Sequence, residues 1–252
     1  MNPHPPAAPT TDSRPPAPWG VFATCAWGLA ILVLSLFVYL LSMLGMVVAL
    51  QLGRPEVSSE GLIDNPLYDF VTTSAALMVI CLVPWLLVIV RDLPARDYFA
   101  LRLPPRGPAA LYGAVTLLWI AAALVIGPAF GHEPGLFLAE RAMGGWGGIL
   151  AAASLRIFAV PVAIEIFTRG FLMRGFGTGR VGAAFGLVIT TLVGTVLHCF
   201  FFASGPIYWF MALFENLLLG AARLRSGSLL LPIAMHVVLV AGLFGGALLV
   251  AG

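Results

Sequence analysis

Lysine is missing from this chain: all 13 basic residues are arginine. Charge of either sign is scarce. Charged residues make up 10% of the sequence, where a soluble domain carries about one quarter, while 60% of residues are hydrophobic and the mean hydropathy is +1.01. An ordinary soluble domain is thereby excluded, and the chain reads as a polytopic membrane protein. The net charge of +2 is too small for the basic footprint of a nucleic-acid binder, so no nucleic-acid partner is expected. Cysteine is also sparse. Cys25, Cys81 and Cys199 lie in separate apolar runs without CxxC spacing, which argues against a disulfide framework or a zinc-thiolate site and predicts buried structural thiols. HExxH is absent as well, so the usual metalloprotease helix is not present. The use of arginine alone, together with the Ala, Gly and Pro bias, points to a bacterial genome rich in G and C.

Proline, by contrast, is abundant at the start. Residues 1–18 contain seven prolines and are predicted to form a disordered cytoplasmic tail. Residues 19–252 are predicted to form one transmembrane domain. The apolar run that starts near Trp19 is too long for the core of a signal peptide, so it is expected to remain as a membrane helix. At about 20 apolar residues per crossing, the sequence predicts an all-α, polytopic helix bundle of seven helices. They fall near 20–50, 70–90, 109–130, 146–175, 183–203, 207–222 and 229–250, with an eighth if Arg156 and Pro161 split the fourth.

Arginine placement sets an expected orientation. Arg91, Arg96, Arg102 and Arg106 fall in one loop, Arg174 and Arg180 in a second, and Arg223 and Arg225 in a third; seven crossings put all three on one side. The segments containing Glu56, Glu60, Asp64 and Asp69, and His132, Glu133 and Glu140, lean acidic and fit the opposite face. The expected topology has a cytoplasmic N-terminus in a bacterial inner membrane. A kinked or partly re-entrant fourth helix preserves it, whereas two full crossings there would not.

Within the apolar runs stand a few ionisable side chains, each costly in a bilayer unless it pairs, lines a cavity or works. Glu165 and Arg169, in PVAIEIFTRGFL, are spaced i to i+4 with the acid first, the favourable order for a helical ion pair. His198 and His236 lie in two later helices. Read singly, each is a packed residue or a satisfied pair; converging on one site, all of them become tolerable. A carboxylate beside imidazole can activate water, and one Glu with two His is also a zinc-ligand set, so Glu165, His198 and His236 are candidates for either chemistry. Glu215, beside Asn216 in WFMALFENLLLG, is a candidate supporting acid; the plainer expectation pairs it with Arg156.

IEIFTR (164–169) followed by Gly170, GTVLH (194–198) and HVVLV (236–240) resemble, in order and spacing, the three motifs of the CPBP family. These are the CAAX prenyl endopeptidase and bacteriocin-processing (Abi) intramembrane proteases, whose pattern runs EExxxR, FxxxH, HxxxN or HxxxD. The resemblance covers a core of about 145–252 and includes the approach GAARLRSGSLLLPIAMH. It implies an intramembrane endopeptidase that hydrolyses a peptide bond of a membrane-associated protein or peptide by water activated through Glu and His. Glu165, His198 and His236 are then catalytic, and Arg169, Glu215 and Asn216 supporting; no cofactor or a divalent metal such as zinc is implied.

Three positions depart from the family pattern. Ile164 stands where the family places the glutamate assigned to water activation, Gly194 where it has an aromatic, and Val240 where it has Asn or Asp. Neighbouring helix positions differ by about 100°, so Glu165 replaces a carboxylate at 164 only if the helix path changes, for which Pro161 gives an opening. A catalytically silent member, acting in bacteriocin immunity or as a membrane scaffold, is the alternative these departures imply. A small transporter or proton relay is a third expectation, weakened by the lack of a visible inverted repeat.

Overall fold

The structure, a computed structural model, describes residues 19–53, 66–130, 146–176, 179–202 and 205–251. The proline-rich tail and the acidic segments around Glu60 and Glu133 lie outside them. Every described element is a helix: α1 (Gly20–Gly53), α2 (Pro66–Val90), the short α3 (Ala95–Tyr98), α4 (Arg106–Ala129), a composite central helix, α8 (Arg180–Phe201), α9 (Pro206–Ser226) and α10 (Leu230–Ala251). Apolar segments of this length satisfy their backbone polar groups internally, which is what lipid requires. Five helices, α1, α2, α4, α8 and α9, are long and apolar enough to cross a membrane. The molecule is an all-α membrane helix bundle.

The central helix occupies 146–175 as α5 (Trp146–Ala153), a π-helical stretch π1 (Ser154–Ala159), α6 (Val160–Glu165), a second π-helical stretch π2 (Ile166–Leu172) and α7 (Met173–Gly175). Pro161 neither ends it nor splits it in two. Its missing N–H falls two residues past π1, where the wider turn has already altered the bonding pattern, the Val160 N–H reaching back five residues to the Leu155 carbonyl. Residues 163–173 are buried on all sides, Ala163, Ile164, Phe167 and Phe171 included, as expected of a helix at the centre of a bundle. α2, α8 and α10 pack around it, α1 lies against α2, and α4 and α9 close the far side against α10.

Several boundaries differ from those the sequence predicts. α9 continues to Ser226, so Arg223 and Arg225 belong to its last turn and not to a loop, where their charge suits the helix C-terminus. Asp69 sits in the first turn of α2, where it accepts two bonds from Arg156 Nη2 at 2.8 and 2.7 Å. Arg156 also donates to the Phe201 carbonyl. Arg156 therefore ties the central helix to α2 and α8, and the predicted Arg156–Glu215 pair is replaced. Of the cysteines only Cys199 is buried. Cys81 is half-buried and Cys25 exposed on α1, whose many outward apolar side chains make an apolar residue at the surface unremarkable in lipid.

Candidate active site

Six structural elements deliver side chains to one buried polar cluster. π2 supplies its centre. In a π turn the backbone bonds skip one residue further than in an α-helix, and the Thr168 hydroxyl donates to the Ile164 carbonyl (2.6 Å) in this segment. Arg169, fully buried, spreads its guanidinium across three partners: Nη1 donates to Glu165 Oε1 (3.1 Å) and to Thr168 Oγ1 (2.9 Å), and Nη2 to the Asn216 carbonyl (2.6 Å) and Asn216 Oδ1 (2.9 Å). Asn216 on α9 is held in turn by its own Nδ2 on the Ala212 carbonyl (2.9 Å). The expected Glu165–Arg169 pair is present, embedded in a wider network.

Glu165 Oε1 also meets His236 Nδ1 on α10, at 3.1 Å. A carboxylate only accepts, so the ring carries its proton on Nδ1 and turns Nε2 away from Glu165. The His236 and His198 rings stack, with centroids 5.1 Å apart and planes 22° from parallel. On the far side of the stack His198 Nε2 lies 3.8 Å from Glu215 Oε2, an ion-pair separation longer than a hydrogen bond. Trp119 Nε1 on α4 fixes the other oxygen of Glu215 at 2.9 Å. Phe202 and Tyr208 flank the His198 ring. The order in space is thus carboxylate, imidazole, imidazole, carboxylate.

Glu165, His198, His236, Arg169, Glu215 and Asn216, the six residues singled out by sequence, all belong to this cluster. Glu215 is brought in beside His198, while Glu165 partners His236. Among the described residues, no three His, Cys, Asp or Glu side chains group closely enough to hold a metal ion, so the set Glu165, His198 and His236 does not form a zinc cradle as arranged. Glu165 Oε2, His198 Nδ1 and His236 Nε2 are buried without a hydrogen-bond partner, and such atoms are exceptional in folded proteins outside working sites.

The three departures from the motif pattern have definite surroundings. Ile164 and Val240 are buried among apolar neighbours in the main core. At Gly194 an added Cβ would overlap Asn216 Oδ1 and stand 2.9 Å from Arg169 Nη1. Trp119 and Thr168 were not anticipated: a tryptophan and a threonine in apolar runs carry no sequence signal that separates them from packing residues.

The fold and the site together define a helical membrane bundle with paired acids and histidines at its centre. The model of the family described as type II CAAX prenyl endopeptidase Rce1-like matches residues 146–242, the central helix through most of α10, and over that segment the chain is similar to the CPBP family. No curated protein and no solved structure matches the chain.

Proposed function

We propose that this chain is an intramembrane endopeptidase that cuts a peptide bond in a membrane-associated protein or peptide, using water activated by carboxylate and imidazole. The observation that carries this reading is the stacked His198–His236 couple with a glutamate at each end, together with unpartnered polar atoms on Glu165, His198 and His236. Arg169 and His236 both hold Glu165 Oε1, which leaves Oε2 to accept a proton from water. The hydroxide attacks the scissile carbonyl carbon, and the histidines stabilise the negative charge that develops on its oxygen. Glu165 then returns the proton to the departing nitrogen as the C–N bond breaks, giving a carboxylic acid and an amine. Glu215, fixed by Trp119, orients His198.

The membrane is a bacterial inner membrane in this proposal, with the N-terminus and the arginine-rich ends cytoplasmic. The full chain in nanodiscs, incubated with a panel of membrane-anchored peptides, tests the activity. Wild type is expected to cleave; His198→Ala and Glu165→Gln, normalised to folded protein, are expected to lose at least about a hundredfold in rate, and Glu215→Gln to retain part of it. Full activity in both of the first two variants would reject the mechanism.

One observation favours a silent, binding member as the second reading. Ile164 and Val240 offer no polar group at positions where the family pattern carries Glu and Asn or Asp, and both are packed into the apolar core. Absence of cleavage by wild type across the panel would leave that reading standing.

A further inference from the structure

Three arginines meet at the end of the bundle where α9 finishes. Gly227 closes α9 in the left-handed region (φ 62°), its N–H bonding the Arg223 carbonyl at 3.0 Å. Arg102, which precedes α4, donates Nε to the Gly227 carbonyl at 2.9 Å and lies on that glycine so closely that a Cβ there would stand 2.6 Å from Nη2. Arg223 reaches inward and donates Nε to the Arg169 carbonyl at 3.3 Å. Arg174 on α7 has its Nε buried without a hydrogen-bond partner. Arg102 on the cap of α9 and Arg223 on the Arg169 carbonyl converge from two sides, and the charges of Arg102 and Arg174 both act on Arg223, so three separate segments contribute positive charge here.

Their counter-charge is not supplied by the chain as described. The ion pairs among the described residues occupy Arg156 and Arg169, and none reaches Arg102, Arg174 or Arg223. Tyr98, whose phenol feels the charge of Arg174, is pushed by burial above its usual range and stays neutral. Such a cluster is stabilised by an anion, and the planar guanidinium fork matches the geometry of phosphate.

Depth in the membrane narrows the choice of anion. α1 begins at this end, its Thr24 against Gly175 of α7, and Arg91, the residue after α2, lies over the Trp19 ring with its Cζ 4.7 Å from the centroid. Tryptophan and arginine at the ends of spanning helices mark the headgroup level. We propose that Arg102, Arg174 and Arg223 form a binding site for a phosphate group at the membrane surface, supplied by an anionic lipid headgroup or by free phosphate. Because Arg223 also holds the Arg169 carbonyl, an occupied site steadies π2 from outside. The site stands whether or not the chain cuts peptides.

The test measures binding only. Native mass spectrometry of the full chain, released from phosphatidylcholine nanodiscs containing graded phosphatidylglycerol, measures retained anionic lipid. A second arm titrates inorganic phosphate into the protein in neutral detergent and follows its unfolding temperature. Arg102→Gln and Arg174→Gln are each expected to weaken the response about fivefold, whereas Arg225→Gln, exposed at the same end but outside the cluster, leaves it unchanged. A response in the lipid arm alone identifies a headgroup, and one in the phosphate arm alone identifies free phosphate; either upholds the site. No response in either arm, or an equal loss in Arg225→Gln, overturns it. Should Arg174→Gln fail to fold, Arg102→Gln on its exposed side chain gives the same reading.

Discussion

Gly194 on α8 lies directly against the Asn216 side chain of α9. A Cβ at 194 would overlap Oδ1 and stand 2.9 Å from both Asn216 Cγ and Arg169 Nη1. The place where the family pattern has an aromatic ring is filled here by the Arg169–Asn216 couple, so the glycine is part of how this site is built and not simply a lost motif residue.

Gly194→Ala should therefore destabilise the protein by about 1–3 kcal/mol, the usual cost of overpacking. On an Asn216→Ala background the same change should cost much less, because the colliding atoms are gone. Unfolding in detergent measures the cycle, and equal costs on the two backgrounds would dismiss the steric lock.

Glu165 and Arg169 are both fully buried, so each depends on the other's charge. Glu165→Gln keeps the shape but leaves the guanidinium without a counter-charge, and a loss of about 3–5 kcal/mol is expected. Glu165→Gln combined with Arg169→Met should recover much of it without recovering hydrolysis. An unchanged unfolding midpoint in the single variant would show that Arg169 finds enough compensation in Asn216 and Thr168.

Trp119→Phe keeps the ring and removes the Nε1–Glu215 hydrogen bond. A cost of about 1–3 kcal/mol is expected for leaving the buried carboxylate oxygen short of a donor. Activity should fall with it, since Glu215 loses the contact that aims it at His198. In a Glu215→Gln background the tryptophan change should add little to the kinetic defect; full additivity would separate Trp119 from the Glu215–His198 couple.

Ile164→Glu places a second carboxylate next to Glu165 in an apolar surrounding. An enzyme already working through Glu165 should lose stability and gain no rate. A clear gain of cleavage over a silent wild type would instead support the binding member as the natural state.

Reporter fusions at Arg102 and Glu60 address the orientation. The arginine asymmetry predicts opposite sides, Arg102 cytoplasmic. Finding both on one side would remove the topology.

Much of the site could be read from the residues. Glu165 and Arg169 share a helix, and four residues of spacing place them together whatever the fold around them. The burial of His198 and His236 followed from the cost of leaving them in lipid. Glu215 was harder: as one acid in an apolar helix it was a candidate either for the site or for a pair with Arg156. The choice was settled by Asp69, which captures Arg156 from α2 and lies 87 residues away in sequence. The π-helical turns carried no compositional mark either, because they redistribute backbone bonds without requiring a particular residue.

What the sequence by itself determined was the material: apolar segments long enough to span, a lysine-free charge set gathered at their ends, and a few ionisable groups that had to find partners inside. Only the tertiary structure decided which glutamate faces which histidine, that Trp119 holds Glu215, and that Gly194 makes room for Asn216. The reason is rotational. A soluble helix shows its inner face by an apolar stripe, but helices apolar nearly all round have no such stripe, and their rotation about their own axes is fixed only when small residues, hydrogen bonds and buried charges lock neighbouring helices together.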